Sequence, residues 1–202
     1  EAESGGRQSG ERGLNAPEVV EAFDDGDVNG LDVRGENAAL SEPDIGHAEK
    51  ALEKLEFLVV QDLFMTETAE HADVVLPAAA FSEKSGTFTN TERRVQRVEK
   101  ALDPPGEARQ DWAILESLAN RIDHGGERWD YDNPTEIFEE ITDVTPIYSG
   151  MSHNRIEREG GLQWPCPEAD HPGTRFLYED GFNFPDGKAR FVPADMGEPG
   201  EL

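Results

Sequence analysis

The stretch from Phe57 to Pro77 leaves the chain few ways to fold. Phe57, Leu58, Val59 and Val60 form an unbroken apolar run of the kind that becomes a strand covered on both faces, and Gln61 and Asp62 close it with polar groups. A second apolar run, Val74-Val75-Leu76, stops at Pro77. Between them Thr66 to His71 is long enough for about two helical turns at roughly 3.6 residues per turn. Strand, short helix, strand is a βαβ unit, whose strands run parallel, so Gln61, Asp62 and the residues beyond Pro77 emerge on one rim. Open parallel sheets bind ligands at that rim, and polar side chains converging there point to a nucleotide-like ligand.

The rest of the chain extends this reading. Leu31-Asp32-Val33-Arg34 takes the place of an earlier strand, and His47 to Leu55 reads as an amphipathic helix with Ala48, Ala51, Leu52 and Leu55 toward the sheet. Burying Asp32 unpaired would cost roughly 2 to 5 kcal/mol, so Asp32 either pairs with Arg34 or lies on an exposed edge strand. Glu1 to Leu14 is polar and Gly-rich, a frayed start, and Pro17 to Phe23 has helical spacing. Asp103-Pro104-Pro105-Gly106 is a turn, Asp111 to Ile122 a helix, and His124-Gly125-Gly126 its stop. Pro134 to Ile141 forms a further helix, with Phe176-Leu177-Tyr178 and Ala189-Arg190-Phe191-Val192 as short strand candidates.

Charge and cysteine usage narrow the functions available. A formal net charge of -26, from 44 acidic and 18 basic residues, argues against nucleic-acid binding, because phosphates are repelled. Acid spread over the whole chain matches a halophile's surface, where carboxylates keep a protein soluble in salt that screens their repulsion; an acidic tail over Glu1 to Asn15 is the rival explanation. Cys166 is the sole cysteine and reads as a buried structural thiol, since one thiolate makes neither a disulfide nor an iron-sulfur site. The histidines His47, His71, His124, His153 and His171 show no paired ligand spacing, so no protein-bound metal is expected. No nucleophile elbow or phosphate loop is present, and Glu136 to Glu140 is the polar side of a helix. No signal peptide or long apolar stretch appears, so direct membrane insertion is not expected and a cytoplasmic location is.

Several stretches resemble the prokaryotic molybdopterin-containing oxidoreductases, and within them the alpha subunits of formate dehydrogenases. They are GENAALSEPD (Gly35 to Asp44), Leu55 to Val98 with QDLFMTETAEHADVVLP and SEKSGTFTNTERRVQ, PPGEARQDW (Pro104 to Trp112), GGLQWPCP (Gly160 to Pro167), DHPGT (Asp170 to Thr174) and PDGKARF (Pro185 to Phe191). The resemblance implies an α/β fold, a Rossmann-like mostly parallel sheet with flanking helices followed by an irregular C-terminal extension. It divides the chain into a flexible segment (1–15), a dinucleotide-binding domain (16–126) and a helix with a Gly/Pro-rich extension (127–202) that leads toward a C-terminal barrel. It implies that the chain holds one guanine dinucleotide arm of a molybdenum bis(molybdopterin guanine dinucleotide) cofactor, with Asn37, Gln61, Asp62, Lys84 and Asp111 at positions that contact it. The cluster cysteines and the metal ligand belong to regions these residues do not include, so no catalytic residue is expected here, and the remaining parts of the alpha subunit or electron-transfer subunits are the expected partners.

The residue chemistry agrees with those roles: a carboxylate accepts hydrogen bonds from a ribose diol or a guanine edge, an amide both gives and takes them, and Lys84 can pair with a phosphate. Gly86 lets the backbone approach closely. Plainer uses stand beside them. Asp62 can cap the following turn, Asn37 can hold a left-handed turn after Gly35, Lys84 can be solvated, and Asp111 can cap the helix it precedes. The first strand departs from the family pattern, with Asp32 and Arg34 in place of apolar residues and Ala38 where the family usually has proline. Arg93, Arg94 and Arg97 read as a solvated strand face, while the resemblance sets them near the cofactor. Assimilatory nitrate reductase shares the second-strand and SEKSGT motifs, and a non-catalytic interaction module is the reading from another class. Lacking the metal ligand and cluster cysteines, the 202-residue chain by itself is expected to bind a guanine dinucleotide weakly or not at all and to leave formate unoxidised. A formate-oxidation assay on the purified chain checks this, and turnover would overturn it.

Overall fold

Alternating burial along Val33, Leu58 and Val60 sets the first half of the molecule. In this computed structural model, which describes residues 12–15, 18–19, 22–23, 26–42, 45–122 and 128–193, Gly30–Arg34 (β1), Phe57–Asp62 (β2) and Val74–Pro77 (β3) form a parallel sheet in the order β1-β2-β3. Ala38–Ser41 (α1) and Ile45–Leu52 (α2) connect β1 to β2, and a single turn, Glu67–Glu70 (α3), connects β2 to β3. Ala39, Leu52 and Ala69 from these helices meet Val33, Leu58 and Val60 in one core. Complete burial of Leu58 or Val60 contributes about 1.5–3 kcal/mol. The other face of β2 is less covered than its apolar run suggests: Phe57 is exposed and Val59 half-buried. Ala48, Ala51 and Leu52 are buried as the helical spacing requires.

Both ways out for Asp32 are taken. β1 lies at the sheet edge, and the Arg34 guanidinium sits 2.6 Å from the Asp32 carboxylate. The frayed start and the helix over Pro17 to Phe23 fall largely outside the described residues, and the His124-Gly125-Gly126 stop falls wholly outside them.

The second half is built on a different sheet. Gly86–Thr89 (β4) and Arg94–Val98 (β5) form an antiparallel pair, and Leu162–Gln163 (β6) adds to β5. Helices Asp111–Ala119 (α4), Pro134–Val144 (α5) and His153–Glu159 (α6) lie between β5 and β6 in the chain. Val95, Phe138, Met151, Ile156, Leu162 and Cys166 form its core. Helix α5 starts where Asn133 caps it, its side-chain oxygen accepting from the Thr135 amide at 2.9 Å, with Pro134 in the first position. Helix α6 starts at a Ser152 cap and stops at Gly160, whose φ of 71° suits glycine.

The strand candidates Phe176 to Tyr178 and Ala189 to Val192 form no strand. A short apolar run pairs only where another backbone lies alongside it, and Phe176, Phe191 and Val192 instead stand exposed. Among the described residues no helix is long and apolar enough to cross a membrane.

Arg155 holds the second half together. It is 7% exposed and donates to the carbonyls of Gly150 (2.6 Å), Glu168 (3.1 Å) and His171, while its Nε meets Glu159 at 2.9 Å. Cys166, buried beside it, is a structural thiol. Gly150 sits so close to Glu168 and Cys166 that a Cβ would fall 2.0 Å from the Glu168 oxygen. Replacing Arg155 by Met leaves those carbonyls unpaired, and each buried orphan costs about 1–3 kcal/mol. Urea unfolding of Arg155→Met is expected to show a loss of roughly 3 kcal/mol; a loss below about 1 kcal/mol would show that water or a rearranged loop satisfies them.

Candidate functional site

The carboxyl rim of the parallel sheet gathers three residues from separate parts of the chain. Gln61, next to last in β2, is 1% exposed, and its amide Nε2 donates to Asp111 Oδ1 at 2.8 Å. Lys84 donates to the other oxygen, Asp111 Oδ2. Backbone geometry brings them there. Beyond β3, Ala78 pairs with Arg109 in parallel fashion, Arg109 donating to the Pro77 carbonyl (3.0 Å) and Ala79 to the Arg109 carbonyl (2.8 Å). This bridge extends the sheet and sets the first residue of α4, Asp111, beside the rim. Lys84 arrives through the tight helical turn Phe81–Glu83, held by a 2.9 Å bond from the Ala80 amide to the Glu83 carboxylate.

One atom in this group lacks a partner. The carbonyl oxygen of the Gln61 side chain, Oε1, is buried and accepts no hydrogen bond. The amide cannot relieve this by turning over, because its oxygen would then face the Asp111 carboxylate. A buried acceptor without a donor costs about 1–3 kcal/mol, and such atoms in native proteins call for an explanation.

Asn37 and Asp62 stand outside this group, each bonded to other parts of the chain. Asp62 Oδ1 accepts from the Leu63 amide at 2.6 Å and caps the turn leaving β2. Asn37 Oδ1 accepts from both the amide (3.1 Å) and the hydroxyl (2.8 Å) of Thr68, and its Nδ2 donates to Glu67 at 2.6 Å. The left-handed residue of that turn is Gly35, with φ 62°, and not Asn37. Asp111 lies inside α4, with Gln110 in the cap position, and Lys84 is paired and not solvated. Leu63, Phe64, Met65 and Phe81 stand exposed on the segments that follow β2 and β3.

Electrostatics favour an ionised Asp111. Burial pushes its carboxyl up, but the hydrogen bonds from Lys84 and Gln61, together with the Lys84 charge, outweigh that and hold it below the ordinary value. The ion pair is partly exposed, 21% at Lys84 and 39% at Asp111, so its own stabilisation is small, about 0–1 kcal/mol. Its value lies in placement.

The arginine run is not a uniformly solvated face. Arg93 adopts a φ of 65° and donates to the carbonyls of Trp164, Thr174 (3.1 Å) and Arg175 (3.2 Å). Arg97 pairs with Glu99 and Glu157. His153, weighed in the sequence only as a metal ligand, is 4% exposed, stacks on Phe138 at 4.9 Å and bonds Thr87 (2.7 Å) and Thr135 (2.9 Å) through its two ring nitrogens. Burial, then the Arg97 charge, lowers its pKa. It lines a cavity of about 350 Å³ with Ser85, Arg97, Gln110, Trp112 and Thr135. The Ser152 and Gly160 brackets around α6 were the signal that places this residue at a helix start.

Comparison with known proteins bears on this arrangement. The family model described as Molybdopterin oxidoreductase matches residues 2–121. The chain is 46% identical over 190 residues to the F420-dependent formate dehydrogenase subunit alpha of Methanocaldococcus jannaschii, covering 94% of this chain and 28% of that protein. It is 47% identical over 192 residues to the F420-dependent formate dehydrogenase 2 subunit alpha of Methanococcus maripaludis, covering 95% and 28%. The chain thus spans little more than a quarter of the length of these relatives. Among solved structures, acetylene hydratase from Pelobacter acetylenicus superposes with a TM-score of 0.57 at 23% identity over 73% of this chain and 20% of that one, a likeness of fold.

The lowered Asp111 pKa carries a pH signature. A carboxyl that titrates below its unfolded value stabilises fully above the ordinary range near about 3.9, and the contribution disappears as the pH falls through the lowered folded value. Asp111→Asn is therefore expected to melt below the parent protein at about pH 7 and to converge with it on acidification. Thermal melts across that range decide it, and a gap that stays constant into acid would remove the ion pair from the account.

Proposed function

The chain belongs to the molybdopterin oxidoreductase family, and on that footing we propose that it forms a central region of a formate-oxidising enzyme and holds one guanine dinucleotide arm of a bis-molybdopterin cofactor. The unpartnered Gln61 oxygen carries this reading. It is a buried acceptor at the carboxyl end of a parallel sheet, set beside a lysine and a carboxylate, and guanine offers donors of the kind it lacks. Being shut from solvent, it is reached only by a ligand that displaces a neighbouring side chain.

The donor set fits such an arm. Lys84 supplies a cation for a phosphate or a base carbonyl, Asp111 and Asp62 accept from amino, imino or ribose hydroxyl groups, and Gln61 both gives and takes. Asn37 keeps an amide hydrogen beyond the one given to Glu67, enough for one further bond at the rim. When bound, the metal-pterin group supplies the redox chemistry by which formate loses electrons and becomes carbon dioxide. These residues bind and orient, and the buried Cys166, the only cysteine of the chain, leaves cluster ligation to other parts of the enzyme or its partner subunits. Formate is favoured over nitrate by the names of the relatives, which are formate dehydrogenase alpha subunits.

The test uses the complete enzyme that contains this region, produced in a host that makes the cofactor. Gln61→Leu and Lys84→Ala are each expected to lower pterin dinucleotide content about ten-fold, the loss of roughly 1.4 kcal/mol of binding, at unchanged amounts of folded protein. Pterin released by acid and read by fluorescence measures it. Full cofactor content in both variants would remove the dinucleotide from this rim.

A further inference from the structure

The helices that leave β1 and β2 cap each other. Asn37 precedes α1 but makes no side-chain bond to its own helix; its oxygen instead accepts the amide and hydroxyl of Thr68 in α3. Thr68 returns the favour, its Oγ1 accepting the Ala39 amide of α1 at 3.0 Å. Thr68 is completely buried, so each of these bonds replaces one that water cannot make. Helix starts leave amides without partners, and here each helix finds one on the other, while Thr66 also caps α3 itself. The cross-links tie together the two segments that leave the rim.

This knot reaches the triad by a short path. Two residues before Asn37, the amide of Gly35 donates to the backbone carbonyl of Gln61 at 2.9 Å, and Gln61 in turn donates to Asp111. The β1 exit therefore holds Gln61 from one side while β3, in register at Leu76, holds it from the other. We propose that Thr68 is a positioning residue, which fixes the β1 exit through Asn37 and so sets the Gln61 amide against Asp111. The inference deepens the cofactor-binding reading above and rests on it for its biological meaning. It also explains why only an amide hydrogen of Asn37 is left for a ligand: its oxygen is spent on the knot.

The test is read without ligand, so it stands or falls apart from whether a dinucleotide binds. In the folded protein, carbon-detected NMR follows the titration of the Asp111 carboxyl. Thr68→Val keeps the shape and removes the hydroxyl, and is expected to shift the Asp111 midpoint upward, because a displaced Gln61 no longer helps hold the carboxyl low. Thr68→Ser is expected to restore the parent midpoint. If Thr68→Val does not fold, Asn37→Ala opens the same knot from its more exposed side and carries the same expectation. Leu52→Ala, which loosens the core without removing a knot bond, is expected to leave the midpoint in place. An unmoved midpoint in the knot variants, or an equal shift in Leu52→Ala, would overturn the proposal.

Discussion

The Asp111 carboxylate is the point through which the rim is organised. Lys84 and Gln61 take one oxygen each, and the three residues come from a turn after β3, the end of β2 and the start of α4. A partly exposed ion pair adds little to stability, so what this contact supplies is geometry. It draws a cation, a carboxylate and an amide together at the end of a sheet. The Gln61 oxygen is left over once the amide nitrogen is committed. Buried acceptors without a donor are rare in native proteins, and this one sits at the carboxyl end of a parallel sheet.

The polar residues of the rim differ in what they bond. Asp62 bonds the turn that follows it, and Asn37 is drawn into bonds with α3. Gln61 and Lys84 both bond Asp111, and like the bonds of Asn37 these join distant parts of the chain. Long-range bonds hold side chains in place relative to one another. In the second half, guanidinium groups do similar work on backbone: Arg93 and Arg155 each bond carbonyls of the segment between Trp164 and Arg175, fixing a loop that has almost no regular structure.

Legibility in the sequence followed the range of the interactions involved. The βαβ unit was readable because the apolar runs Phe57 to Val60 and Val74 to Leu76 form strands by local pattern, and Ala48, Ala51 and Leu52 followed from helical spacing. Asp32 was readable as a charge needing a partner or an edge, and has both. The strand candidates at Phe176 and Ala189 failed because composition names residues that suit a strand but not a neighbour to pair with. β6 escaped notice since two residues carry no periodicity; it exists because β5 offers an edge. His153 was weighed as a metal ligand and dismissed for want of a pair, whereas its actual surroundings are hydroxyls and an aromatic ring from other elements.

Residue order alone determined the parallel strands, their direction, and thus that Gln61 and Asp62 leave the sheet at one rim, because apolar runs and the length between them act over neighbouring residues. Motif resemblance supplied the family and the list of polar residues. Which of those residues meet was decided only in three dimensions. The bridge between Ala78 and Arg109 carries Asp111 to Gln61, and the crossing of α1 and α3 draws Asn37 away. Hydrogen bonds form between atoms within about 3 Å of each other whatever their separation along the chain, and a linear sequence holds no record of that distance.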